Sequence, residues 1–161
     1  MDRTDPPARI RALLASYRDT HYDVAMPDGH TTTLRVGRPA CADILAWMES
    51  LPFAAFIGAA NPHSRLLADT DNMLRHAALQ SRLRSMPCRF LPGLGHVPGQ
   101  AWRENALMVA GLDLRMLDAL AGEFGQNATL MVPRTGLARL RIHRPEWHAT
   151  ARGEADLEWA A

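Results

Sequence analysis

The chain has 161 residues, 47% of them hydrophobic and 22% charged, the proportions of one ordinary globular domain with material for a sizeable core. At this size no disulfide or metal staple is required for folding. Net charge is +1 with the signs interspersed and the pI is about 7.9, so the basic face of a nucleic-acid binder is missing and nucleic acid is a disfavoured partner.

In chain order, Pro6-Pro7 closes an expected disordered start, and the spacing of Ile10, Leu13, Leu14 and Tyr17 predicts a helix over Ala8–Asp19. His21–Ala25 and Thr31–Val36 read as two strands joined by a turn at Met26-Pro-Asp-Gly29. Pro39 opens a second helix to about Met48, which Ser50-Leu-Pro52 closes. The run Phe53-Ala-Ala-Phe-Ile-Gly58 is continuous rather than alternating, as in a central strand buried on both faces. Asp69 or Thr70 can cap a helix running to about Ser85. Cys88–Leu91 reads as a short strand followed by a Pro/Gly-rich loop, Pro92–Gly99, and then by a strand at Ala106–Ala110. Asp113 caps a helix to about Phe124, with Gly125 as its stop. Ala128–Val132 and Ala138–Ile142 close the pattern as a strand pair. Adjacent hairpins disfavour a doubly wound parallel sheet. The expectation is a single α+β (or α/β) domain over residues 1–143, a mixed β-sheet with helices packed on it. Residues 144–161 form a C-terminal tail, expected to fold back as a short helix or to be partly ordered.

The longest apolar run, Phe53–Ala60, is too short for a membrane span, so no membrane partner is expected. The start Met1-Asp-Arg-Thr does not read as a signal peptide, which makes cytoplasmic residence the expectation. Cys41 and Cys88 stand far apart and read as ordinary reduced thiols. All eighteen residues counted as Lys+Arg are arginine. Schiff-base chemistry, pyridoxal phosphate attachment and a P-loop lysine are therefore excluded. A bound anion would have to be met by arginine, backbone N–H groups or helix dipoles. The seven histidines form no zinc-type spacing, and neither a metal nor a cofactor is expected. Gly93-x-Gly95-x-x-x-Gly99 has the wrong spacing for a phosphate loop.

One constellation carries a functional reading. On the helix after Asp69, Asn72, Arg75, Leu79, Leu83 and Met86 share one stripe, so Asn72 and Arg75 lean inward with the core residues. Just before it, Asn61-Pro-His-Ser64 follows the carboxyl end of the apolar strand, where α/β sheets tend to bind ligands. These residues predict a polar pocket in which Arg75 offers a donor fork to a carboxylate or phosphate. The alternative is that Asn61-Pro is a turn and Arg75 pairs internally, for instance with Glu104. Trp102-Arg-Glu104 adds an aromatic beside a carboxylate able to serve as a general acid or base. The amides of Gln126-Asn127 read first as a helix C-terminus within reach of the pocket.

The same positions carry a resemblance. Tyr17-x-x-Thr20-x-Tyr22, Leu34-Arg-Val-Gly37, Ala59-Ala-Asn-Pro-His-Ser64, Asn72-x-x-Arg75-x-x-x-Leu79-x-x-x-Leu83, Gly93, Gly95, Trp102-x-Glu104 and Phe124-Gly-Gln-Asn-Ala128 resemble a bacterial domain-of-unknown-function family, numbered 3293. The resemblance spans roughly residues 10 to 142. It implies a compact single-domain protein with no assigned activity, and it adds Tyr22 to the candidate site. The family pattern often places serine or proline after Trp-x-Glu, where this chain has Asn105.

Two functions compete. In the first, a small anionic or polar metabolite is anchored by Arg75 and oriented by Asn61 and Gln126. Tyr22, Ser64, Asn72 and Trp102 complete that site, and Glu104 is its catalytic acid or base. In the second, the chain is a non-enzymatic interaction or regulatory module whose tail, with Trp147 and Trp159, docks a partner. Neither substrate nor oligomeric state is legible, and whether the chain is an enzyme stays open.

Overall fold

A computed structural model of the chain describes residues 5–161, so the expected disordered start falls largely outside the described residues. Five helices pack on one eight-stranded sheet ordered β2-β1-β4-β5-β3-β6-β7-β8. The strands are β1 (His21–Ala25), β2 (Thr31–Leu34), β3 (Phe53–Gly58), β4 (Arg89–His96), β5 (Arg103–Ala110), β6 (Ala128–Pro133), β7 (Arg139–Ile142) and β8 (Leu157–Trp159). Every neighbouring pair is antiparallel except β7 with β8. The mixed α+β architecture is thus as expected.

The continuous apolar run at β3 follows from its place between β5 and β6. Successive side chains alternate across the sheet, so Ala54 and Phe56 enter one core while Ala55 and Ile57 enter the other. On the first face lie α1 (Pro7–Asp19), α2 (Ala42–Met48) and α5 (His148–Ala151), contributing Ile10, Leu14, Ile44, Met48 and Ala151. On the second lie α3 (Asp69–Arg84) and α4 (Leu114–Glu123), contributing Leu79, Leu83, Leu117 and Leu120. Asp113 caps α4 as expected, its carboxylate accepting from the Met116 N–H at 2.8 Å. Neither Asp69 nor Thr70 caps α3, because Ala68 holds that position and both lie inside the helix.

The largest departure from the sequence pattern is β4. The first part of the expected Pro/Gly loop, Pro92–His96, is strand, and β4 pairs along its whole length with β5, Pro92, Gly93 and Gly95 included, while residues 97–99 remain outside the strand. Tertiary packing explains the glycines. A Cβ on Gly93 would stand 2.5 Å from the Phe56 ring, and one on Gly95 would meet Trp102 at 3.5 Å. β1 pairs with β4 from Gly93 to His96 only, so Pro92 stands beyond that ladder.

Residues 144–161 are built into the same domain. β8 pairs with β7, Trp147 is fully buried, and Arg18 of α1 holds Asp156 at 2.6 Å and also pairs with Glu154. On the α4 face, Arg141 is 6% exposed and makes a two-pronged contact with Asp118, at 2.7 and 2.8 Å. His143 lies beside that pair, its Nε2 3.0 Å from the Thr129 hydroxyl. Among the described residues no helix is long and apolar enough to cross a membrane.

Candidate functional site

Small residues on the α1 face of the sheet leave a space beneath the helix. Going along β3 on that face, Phe56 is followed by Gly58 and then Ala60. On β5 the sequence is Met108, Ala106, Glu104. Gly95 of β4 lies opposite both Glu104 and Tyr22. Large side chains fill the middle of this face, and their replacement by Gly and Ala at its end opens a cavity of about 190 Å³. Tyr17, Tyr22, Phe56 and Trp102 give it aromatic walls, and Asn61, Ser64, Glu104 and Gln126 give it polar ones.

Glu104 projects into this cavity from β5. Its Oε1 accepts from Asn61 Nδ2 at 2.6 Å and from the Trp102 indole N–H at 3.2 Å. Its Oε2 takes no hydrogen bond from the described residues. Burial pushes the Glu104 carboxyl above its ordinary range, against the lowering effect of those two bonds.

The loop after β3 is held in a costly conformation. Asn61, His63 and Ser64 all have positive φ, of 46°, 55° and 56°. Left-handed backbone costs a non-glycine residue about 1–2 kcal/mol, so three in four positions persist only if the surroundings enforce them. The enforcement is explicit. The Asn61 N–H donates to Asn72 Oδ1, and Asn61 Oδ1 accepts from Asn72 Nδ2 and from the Leu67 N–H, each at 2.9 Å. The His63 N–H donates to the Gly125 carbonyl at 2.7 Å. Gly125 itself has φ +65°, and a Cβ there would stand 2.8 Å from Pro62. Asn127 Nδ2 donates to the Ser64 hydroxyl at 2.9 Å and to the Tyr17 hydroxyl at 3.3 Å.

The structure therefore brings together Tyr22, Asn61, Ser64, Trp102, Glu104 and Gln126 around one cavity. Asn72 and Arg75 lie behind the loop instead. Arg75 is paired internally, though with carbonyls and not with Glu104. Its Nε donates to the Ala59 carbonyl at 2.6 Å, its Nη2 donates to the Phe124 carbonyl at 2.5 Å, and its guanidinium lies over the Phe124 ring. It lines a shallow surface groove with Glu123 rather than the cavity. The anion anchor expected at Arg75 is thus not at the cavity, because the guanidinium is spent on tying β3's exit to the end of α4. Replacing Arg75 by alanine leaves two carbonyls without their charged donor and is expected to cost about 2 kcal/mol of stability. Arg75→Lys should not restore it, since one ammonium cannot reproduce the fork. Urea unfolding of both variants would check this, and an unchanged midpoint for Arg75→Ala would refute the bracing role.

Two site residues were underweighted by the sequence pattern. Tyr17 sits on the inner stripe of α1 and reads as core, yet its hydroxyl meets Ser64 at 3.2 Å. Asn127 reads as a helix terminus, yet it is 4% exposed and joins Ser64, Tyr17 and Arg144. A hydroxyl or amide at a position that the pattern buries is the signal that could have singled them out.

Residues 57–129 match the family model described as a protein of unknown function (DUF3293). The chain resembles that family over the segment running from the end of β3 to the start of β6, less than half of its length. This segment contains Asn61, Ser64, Asn72, Arg75, Trp102, Glu104 and Gln126, whereas α1 with Tyr17, and Tyr22, lie outside it. No curated protein and no solved structure matches the chain. Among the described residues no group of three or more His, Cys, Asp or Glu is placed to hold a metal ion.

Proposed function

We propose that this protein binds a small polar molecule in the cavity between α1 and the sheet, with Glu104 as the group that holds or acts on it. One observation carries the reading: Glu104, with an oxygen that has no partner among the described residues, lines a partly open cavity walled by aromatic rings. A buried carboxyl is costly to keep unless something uses it, and buried ionisable groups shifted by desolvation in a cleft mark functional sites more often than chance. The braced left-handed loop supports the same reading, since strain that surrounding residues enforce tends to sit at binding sites. A carboxyl raised by burial also holds its proton more readily than an exposed one, which suits an acid or base role. Asn61 and Trp102 position it; Ser64, Tyr17, Tyr22 and Gln126 shape the space around it.

The test is a thermal-shift screen of polar metabolites against the wild-type chain and Glu104→Gln. Glutamine keeps an oxygen for Asn61 and Trp102 but removes the charge. Because the folded carboxyl titrates above its unfolded value, its destabilising contribution grows as pH rises through the folded pKa. Glu104→Gln is therefore expected to melt no lower than wild type at pH 7 while losing ligand-dependent stabilisation. A ligand that shifts both proteins equally, or no ligand in the screen, would count against the reading.

An interaction surface remains a second reading, now on different residues. Leu66, Met73 and Leu74 are 84%, 66% and 71% exposed around the start of α3, whereas Trp147, on which a docking tail would depend, is inside the core.

A further inference from the structure

We infer that the cavity selects a small organic cation, a primary ammonium or guanidinium, over anions of the same size. This rests on the proposed binding role of the cavity and names its ligand class.

The hydrogen-bonding atoms left free on the cavity wall, and their charge, set the ligand class. Gln126 Nε2 donates to the carbonyls of Ala60 and Phe124, both at 3.2 Å. Carbonyls only accept, so the amide nitrogen must face them and Oε1 is left as an acceptor. A Cβ added at Gly58, in the cavity wall, would lie 3.6 Å from this Oε1. Glu104 Oε2 is the second free acceptor. The donors, by contrast, are all neutral, and most are used. One Asn61 Nδ2 hydrogen and the Trp102 indole N–H go to Glu104, and the Tyr22 hydroxyl donates to the Tyr17 carbonyl at 2.9 Å. Arg144 donates to Asn127 Oδ1, which fixes that amide with its Nδ2 on Ser64 and Tyr17. Since Tyr17 and Ser64 share one further bond, that pair keeps a single free O–H.

The open donors on the lining (the second Asn61 N–H, the Ser16 hydroxyl and the one O–H of the Tyr17–Ser64 pair) are all neutral, whereas one of the open acceptors is a carboxylate. Among the described residues no arginine or histidine lines the cavity, and the chain has no lysine. Arg9 and Arg144 approach the Ser64 side from outside, but Arg9 is engaged by Asp5 and the Ser64 carbonyl, and Arg144 by Glu146 and Asn127. An anion would therefore meet Glu104 with no compensating cation. An ammonium or guanidinium supplies the missing positive charge, and the rings of Trp102, Tyr17, Tyr22 and Phe56 add aromatic surface that attracts cations. At about 190 Å³ the space lies below the range of drug-sized pockets. It suits a short amine rather than a nucleotide.

The inference is tested by titrating the full chain with n-butylamine, agmatine, butyramide and butyrate, following both melting temperature and heat of binding. The amine or agmatine should bind at least roughly tenfold more tightly than butyrate and butyramide, the value of one charge-assisted contact. Glu104→Gln should lose that preference. Gly58→Ala serves as a second variant that should stay folded, because its methyl meets only ordinary van der Waals contacts while narrowing the space at Gln126; it should weaken the amine as well. Butyrate or butyramide binding as well as the amine, in a manner that Gly58→Ala weakens, would overturn the cation preference and leave the cavity reading standing. Amine binding that neither variant changes would place the amine elsewhere and overturn the inference. Wild-type protein that binds none of the four, and no compound of the polar screen, would overturn both.

Discussion

Trp147→Ala is expected to lower the unfolding free energy by about 4 kcal/mol, the largest effect anticipated for any one substitution in this chain. The indole is 0% exposed and belongs to the same core as Ile10 and Leu14 of α1, and its N–H reaches the Asp5 carboxylate at 3.2 Å. Removing it leaves a cavity that surrounding residues cannot collapse into, because they are held by the sheet on one side and α1 on the other. Deleting residues 144–161 should be worse, since it also strips β8 from β7 and exposes the β7 edge. Urea unfolding monitored by far-ultraviolet circular dichroism measures both. A loss below about 1 kcal/mol for Trp147→Ala would show that the tail is an accessory to the core and not part of it.

The second large effect is acid sensitivity from His143. Burial pushes its imidazole down to about 4, the nearby Asp118 carboxylate opposes that, and Arg141 adds to it. The side chain is only 5% exposed, so the shift translates into stability without much discount for solvent. The unfolded chain takes up the proton near 6.5 while the folded chain resists until about pH 4. Stability is then complete above about pH 6.5 and falls as pH drops through that window, by about 3 kcal/mol at its lower end. His143→Gln retains a group able to bond Thr129 and should flatten this slope, whatever it does to stability at pH 7. The same slope between pH 6.5 and 4 in both proteins would assign the acid lability to other groups.

Several elements were legible because local periodicity and turn chemistry agree with the fold. α1, β1, β3 and α4 lie within a residue or so of the positions that spacing alone predicts, and the Asp113 cap is where its residue type requires it. β4 was not legible. Proline and glycine are turn residues by default, and only the Phe56 ring lying against Gly93 shows why a glycine belongs inside a strand there. The site was half legible for a related reason. Helical spacing correctly placed Asn72 and Arg75 on the inward stripe with Leu79 and Leu83, but inward has two destinations. One is the cavity, on the α1 face of the sheet; the other is the back of the loop, on the α3 face, where both residues lie.

The sequence by itself determined a single α+β fold, the two-sided burial of β3, the exclusion of lysine chemistry, and several of the polar residues that line the candidate cavity. Those follow from composition and from side-chain periods that depend only on local geometry. Tertiary structure alone decided that Arg75 braces the loop while Glu104 faces the cavity, that Tyr17 and Asn127 join Ser64, and that residues 144–161 complete the core. The reason is physical: a hydrogen bond between Asn61 and Glu104, or between Asn127 and Tyr17, joins positions 43 and 110 residues apart. No local pattern encodes such a pairing: the antiparallel pairing of β3 with β5 brings Asn61 to Glu104, and the packing of α1 on the sheet brings Tyr17 to Asn127.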